Sequence, residues 1–104
     1  METLTNRVHT VLYTICKSLV DQGHKLEINI SQPSYSTLIA EIICEKEDMG
    51  ILIGKGGRII DALRLLVRAV VRRDAAHTIV EIRDSRNWLE YIIYRKLKLK
   101  FNGL

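Results

Sequence analysis

The sequence predicts an α+β domain in which three helices pack on a three-stranded sheet, with a C-terminal helical extension. Three observations carry this. Apolar residues follow a helical period, switch to strand alternation over two successive segments, and return to a helical period. A four-residue glycine turn separates two helical segments that would otherwise run together. One cluster of turn formers, holding the only proline, lies between the first two strands.

Leu4, Val8, Val11, Leu12, Ile15 and Leu19 repeat every three or four residues, so residues 4–21 form an amphipathic helix. Thr3 or Thr5 is placed to cap it and Gly23 to end it. Leu26, Ile28 and Ile30 alternate with Glu27 and Asn29, the pattern of a half-buried strand. Ser31-Gln32-Pro33-Ser34-Tyr35-Ser36 reads as the turn. Thr37 to Cys44 is β-branched and apolar, a second strand. Glu45, Glu47 and Asp48 put acid at the start of a short helix ending near Ile53, where the helix dipole favours it. Gly57 to Arg73 reads as a further helix and Thr78 to Arg83 as a third strand.

The glycine turn, Gly54-Lys55-Gly56-Gly57, is the most informative segment. Glycines admit positive φ and let a phosphate approach the backbone closely. The first turn of the following helix adds N–H groups and the positive end of its dipole. A P-loop is excluded, because Arg58, Ile59 and Ile60 follow the glycines where Lys-Ser/Thr is required. A dinucleotide fingerprint is excluded as well: position 59 is Ile, and no βαβ unit surrounds it. The spacing that does fit is Ile53-Gly54-x-x-Gly57-x-x-Ile60-x-x-Leu63. It resembles the core of a KH domain, whose GXXG loop clamps about four backbone nucleotides.

Charge placement agrees with that resemblance. The net charge is only +4, but Lys55, Arg58, Arg64, Arg68, Arg72 and Arg73 fall within nineteen residues that hold a single acid, Asp61. Such clustering is the electrostatic footprint of a nucleic-acid binder. Arg64, Arg68 and Arg72 are spaced to stack along one side of the helix, and Asp61 is placed to pair with Arg58 or Arg64. The candidate RNA-binding set is Ile53, Gly54, Lys55, Gly56, Gly57, Arg58, Ile60, Arg64 and Arg68. Ile53, Ile60 and an edge of the second strand, at Ile42 or Cys44, are expected to wall an apolar groove for bases. No aromatic residue adjoins the loop, so stacking of the RRM or OB kind is not expected.

The order α-β-β-α-GXXG-α-β matches the bacterial, type II, KH topology with its mixed sheet. From about residue 8 to 84 the chain is similar to the KhpA family of small single-KH proteins. The resemblance rests on Glu47-Asp48-Met49-Gly50, Ile53-Gly54-Lys55-Gly56-Gly57-Arg58, Ala62-Leu63-Arg64 and Val80-Glu81-Ile82-Arg83-Asp84. It implies a cytoplasmic protein binding single-stranded RNA, with an RNA-chaperone role, acting as a homodimer or with a KhpB-type KH partner. Gly50 to Gly54 is closer in wording to the KH segment of KhpB. KhpB continues into a second domain marked by an arginine and a histidine with three residues between them. Arg73 and His77 have that spacing here, but they lie at the end of the KH helix with no room for that domain.

The expected division is residues 1–84 as the KH domain and 85–104 as a basic amphipathic extension. In the extension, Trp88, Leu89, Ile92 and Ile93 have helical spacing, and Lys96, Lys98 and Lys100 then alternate with Leu97, Leu99 and Phe101. Ile39, Ile43 and Ile79 are expected to form an apolar patch on the sheet face turned away from the helices. A patch of this kind calls for a cover. The extension, through Trp88 and Ile92, is expected to supply it, in cis or across a dimer.

Other chemistry is sparse. At 104 residues the chain has the size of one domain, with no repeat or low-complexity linker. It has no apolar run of membrane-spanning length and no signal-peptide pattern, so a cytoplasmic address is expected. Cys16 and Cys44 lack CxxC spacing, and His9, His24 and His77 are isolated. No metal site, cofactor, small-molecule substrate or enzymatic activity is expected. The alternative function is a dimerisation adaptor in which the KH fold pairs with a partner KH protein.

Overall fold

A computed structural model describes residues 3–72 and 77–85 of the chain. The first helix, α1 (Leu4–Leu19), starts at Thr3, whose Oγ1 accepts the Asn6 N–H at 3.2 Å. It ends at Leu19, short of the glycine expected to stop it. The chain leaves the helix at Val20 because the next two amides, of Asp21 and Gln22, are taken by the Asp48 carboxylate. Gly23 instead opens a single 3₁₀ turn, Gly23–Lys25.

β1 (Glu27–Ser34) and β2 (Thr37–Cys44) form an antiparallel hairpin, and β3 (His77–Asp84) adds to β2 in parallel. The sheet is therefore mixed, in the order β1-β2-β3. The expected six-residue turn shrinks to Tyr35 and Ser36, and Ser31 to Ser34 continue the strand. Pro33 is tolerated there because β1 is an edge strand, and the register shifts between Ser31 and Ser34. β3 extends one residue beyond expectation at each end.

After β2 come α2 (Lys46–Ile53), a 3₁₀ turn at Lys55–Gly57, and α3 (Arg58–Val71). α3 stops at Arg72, whose φ of 57° breaks the helix while its N–H still reaches the Arg68 carbonyl at 2.7 Å. The order α-β-β-α-GXXG-α-β and the three-helix, mixed-sheet architecture are those expected from the sequence. The extension, with Trp88 and Ile92, lies outside the described residues, as does Arg73.

All three helices cover one sheet face. Leu38, Ala40, Ile42 and Cys44 of β2 point inward with Ile28 and Val80, their register neighbours or near-neighbours on β1 and β3. They meet Val8, Leu12 and Cys16 of α1, Leu52 of α2, and Leu63, Val67 and Val71 of α3. Each of the larger side chains contributes about 1.5–3 kcal/mol on burial. The opposite face presents Ile39, Glu41 and Ile43 of β2 beside Ile79, Glu81 and Arg83 of β3.

Candidate nucleic-acid interface

The C-terminus of α2 and the N-terminus of α3 meet at the glycine turn. Gly54, with φ 76° and ψ 167°, closes α2 by donating to the Gly50 carbonyl at 2.9 Å. Gly57 donates back to Gly54 at 3.1 Å, which makes the turn compact. Gly54 is sterically obligatory: a Cβ there would lie 2.4 Å from Ile59 Cγ1 and 2.9 Å from the Ile59 backbone nitrogen. Gly56 differs, for its φ of 66° favours glycine but a Cβ would meet nothing within 4 Å. The tip of the turn is thus open space bounded by bare backbone. Gly57, also at positive φ, caps α3 without a side chain in the way of its first amides.

Lys55 and Arg58 are exposed on this turn, and Arg68 is exposed further along α3. Among the described residues, none of the three enters an ion pair. Arg64 does: its Nη1 meets Asp61 Oδ1 at 2.9 Å and its Nη2 donates to the Val80 carbonyl at 3.4 Å. Arg64 therefore ties α3 to β3 and neutralises the one acid of the segment. The arginine row is therefore not a uniform ladder: Arg64 is structural, whereas Arg68 and Arg72 form no ion pair among the described residues.

Three expected groove residues are placed elsewhere. β2 is the central strand, paired on both sides, so Ile42 and Cys44 offer no edge and are fully buried. Ile60 is 7% exposed and belongs to the core. The apolar side chain left open beside the loop is Ile53, at 37% exposed. Among the described residues, the unpaired sheet edge near α2 and α3 is that of β3. Strand alternation turns the backbone groups of Thr78, Val80 and Ile82 to that edge, since His77 donates toward the β2 side, to Ser36. The bond from Arg64 to the Val80 carbonyl agrees with this phase.

Asp48 was legible only as helix N-terminal acid. It is 1% exposed, and its two oxygens accept the amides of Asp21 and Gln22 at 3.2 and 3.1 Å. A carboxylate in the first turn of α2 thus pins that helix to the end of α1 and so holds the glycine turn at the far end of α2. The thiols offer no reactive group: burial pushes both Cys16 and Cys44 up to about 11, the latter also under the nearby Asp48 charge. Among the described residues no cluster of three His, Cys, Asp or Glu is placed to hold a metal, and no helix is long and apolar enough to cross a membrane.

Comparison with known proteins agrees with this geometry. The family model described as KhpA/KhpB, KH domain, matches residues 9–82, the stretch that holds both the turn and the sheet. The chain belongs to the KhpA family of KH-domain proteins. RNA-binding protein KhpA of Caldanaerobacter subterraneus subsp. tengcongensis is 42% identical over 69 residues, 66% of this chain and 91% of that protein. The protein of the same name from Clostridium acetobutylicum is 36% identical over 72 residues, covering 69% and 95% of the two chains. That of Chlamydia trachomatis serovar D is 38% identical over 72 residues, covering 69% and 91%. The KH domain and its glycine turn lie inside the matched stretch, and residues beyond 82 lie outside it.

Proposed function

We propose that this KH domain binds single-stranded RNA through the Gly54–Gly57 turn. The observation that carries the reading is the open turn itself: three glycines at positive φ, Gly54, Gly56 and Gly57, adjoin exposed Lys55 and Arg58, with the α3 N-terminus directly behind. A phosphodiester approaches the backbone at Lys55 and Gly56, the two cations neutralise it, and the α3 dipole adds to the attraction. Bases lie between Ile53 and the free edge of β3, where backbone groups read their edges. Arg68 extends the positive track. The relatives' name, RNA-binding protein KhpA, supports the same ligand.

A clamp of this size touches few phosphates, so affinity per domain is low and salt-sensitive. An RNA-chaperone role fits such weak, reversible contact. Pairing with a second copy or a KhpB-type partner raises affinity through effective concentration.

The test is fluorescence anisotropy with labelled single-stranded RNA over a salt series, comparing wild type with Lys55→Asp/Gly56→Asp. Gly56 has open space, so the variant is expected to fold, which circular dichroism checks. Wild type is expected to show log K falling by about 0.7 per phosphate neutralised, and the variant is expected not to bind. Equal binding by both would place the contact elsewhere. No binding by either would favour the adaptor reading, for which the exposed Leu65 and Leu66 of α3 offer apolar surface among the described residues.

A further inference from the structure

At Val80 the outer edge of β3 is closed by a side chain. Strand alternation turns the Val80 backbone away from β2 and toward α3. Yet Val80 is 2% exposed, so its N–H and carbonyl are shut off from a ligand. Its neighbours along that edge, Thr78 and Ile82, are half-buried. Arg64 reaches Val80 from α3: Nη2 donates to the carbonyl at 3.4 Å, and Nη1 donates to Asp61 Oδ1 at 2.9 Å. These two bonds, to different elements, fix the plane of the guanidinium, while the side chain is still 42% exposed. Two of the five guanidinium donors are committed in this way, so three are left for a ligand. Asp61 already offsets the Arg64 charge, and what the group has to offer is hydrogen-bonding geometry.

We infer that the Arg64 fork reads one nucleobase and selects an edge with two neighbouring acceptors. The inference rests on the RNA clamp proposed for Gly54–Gly57. Arg64 is six residues past Arg58. That is about 9 Å along α3, within the span of the roughly four nucleotides that such a turn holds. Unstacked bases there expose their Watson–Crick and Hoogsteen edges. Guanine carries neighbouring acceptors at O6 and N7, a pair that an arginine fork matches, and cytosine carries them at O2 and N3. Adenine and uracil set a donor beside the acceptor instead. The Val80 carbonyl, which would accept from such a donor, is already taken by Nη2. A site with donors alone therefore takes guanine or cytosine and turns away adenine and uracil. Lys55 and Arg58 hold phosphate whatever the base, and Arg64 adds the selectivity.

The test is anisotropy of the full chain with short labelled adenine oligonucleotides, unaltered or carrying one guanine, cytosine or uracil. The guanine or the cytosine oligonucleotide is expected to bind about tenfold more tightly than the unaltered one, and the one that gains identifies the base. Replacing that base by an analogue lacking one of the two acceptors, 7-deazaguanine for guanine or uracil for cytosine, is expected to abolish the gain. Arg64→Lys keeps the charge but not the fork, and is expected to bring the ratio to within about twofold of one. The ratio is read within each protein, so a uniform loss of affinity does not imitate the effect, and circular dichroism checks the fold. Wild type that binds all the oligonucleotides alike would overturn the inference and leave the clamp standing. So would a preference that Arg64→Lys retains. Should that variant unfold, the wild type decides alone: the preferred base and its analogue bound equally tightly would overturn the fork. Absence of binding to every oligonucleotide would overturn the clamp and this inference together.

Discussion

Gly54 and Gly56 sit two residues apart at similar φ, yet replacing each with alanine should have different consequences. At Gly54 two costs combine. Its φ of 76° and ψ of 167° fall in a region held essentially by glycine, about 1–3 kcal/mol for another residue. The new Cβ would also lie 2.4 Å and 2.9 Å from atoms of Ile59, one of them backbone, so the first turn of α3 must shift. Overpacking of that kind costs about 1–3 kcal/mol. The sum, about 2–6 kcal/mol, is a large part of a total stability on the order of 5–15 kcal/mol. At Gly56 the φ of 66° and ψ of 17° lie near the left-handed helical basin and no atom is within 4 Å, which leaves about 1–2 kcal/mol. Urea denaturation followed by circular dichroism measures both variants, with the slope checked for constancy. Gly54→Ala should lose more stability than Gly56→Ala, by about 2–3 kcal/mol between the midpoints of the two ranges. Equal losses, or a Gly54→Ala variant as stable as wild type, would refute the steric account of the turn.

Asp48→Ala strands two amides that now bond to a buried carboxylate, and should lose about 2–4 kcal/mol by denaturation, with Asp48→Asn losing less because one acceptor oxygen remains. Arg72→Gly removes a positive-φ strain on a non-glycine residue and should raise stability by about 1 kcal/mol, read as a higher denaturation midpoint. The folded-state thiols sit above their unfolded value of 9.0, so the folded state retains protons that the unfolded state loses. Their contribution to stability is present below pH 9 and should decline as pH rises through 9 toward 11, visible as a falling midpoint that Cys16→Ala/Cys44→Ala flattens. At neutral pH, alkylation of either thiol should proceed only as fast as the protein unfolds.

Much of this architecture was legible because its signals are local. The period of Leu4 to Leu19 marks α1, the β-branched run marks β2, and the glycine spacing before Ile60 and Leu63 marks the turn and α3. Misreadings arose where a distant residue decides. Ser31 to Ser34 carry turn chemistry, yet they extend β1 because an edge strand needs no donor from Pro33. Gly23 looked like the stop of α1, but the helix ends earlier because Asp48, twenty-six residues from Gln22, claims the amides beyond it.

The candidate interface divides in the same way. Lys55, Arg58 and the glycines could be chosen from sequence, since positive φ and uncompensated charge are properties of a short segment. Which neighbours share the surface could not. Periodicity places Ile60 and Ile42 on apolar faces without saying whether each face meets a core or a ligand, and Arg64 and Arg68 are indistinguishable until β3 arrives beside one of them. The sequence by itself determined the elements, their order and the turn, through backbone preferences acting over a few residues. Only the tertiary structure decided that β2 is central, that among the described residues β3 leaves its outer edge unpaired, and that Arg64 is engaged while Arg68 forms no ion pair there. Strand order and side-chain partners depend on contacts between segments far apart in the chain, and no local pattern encodes them.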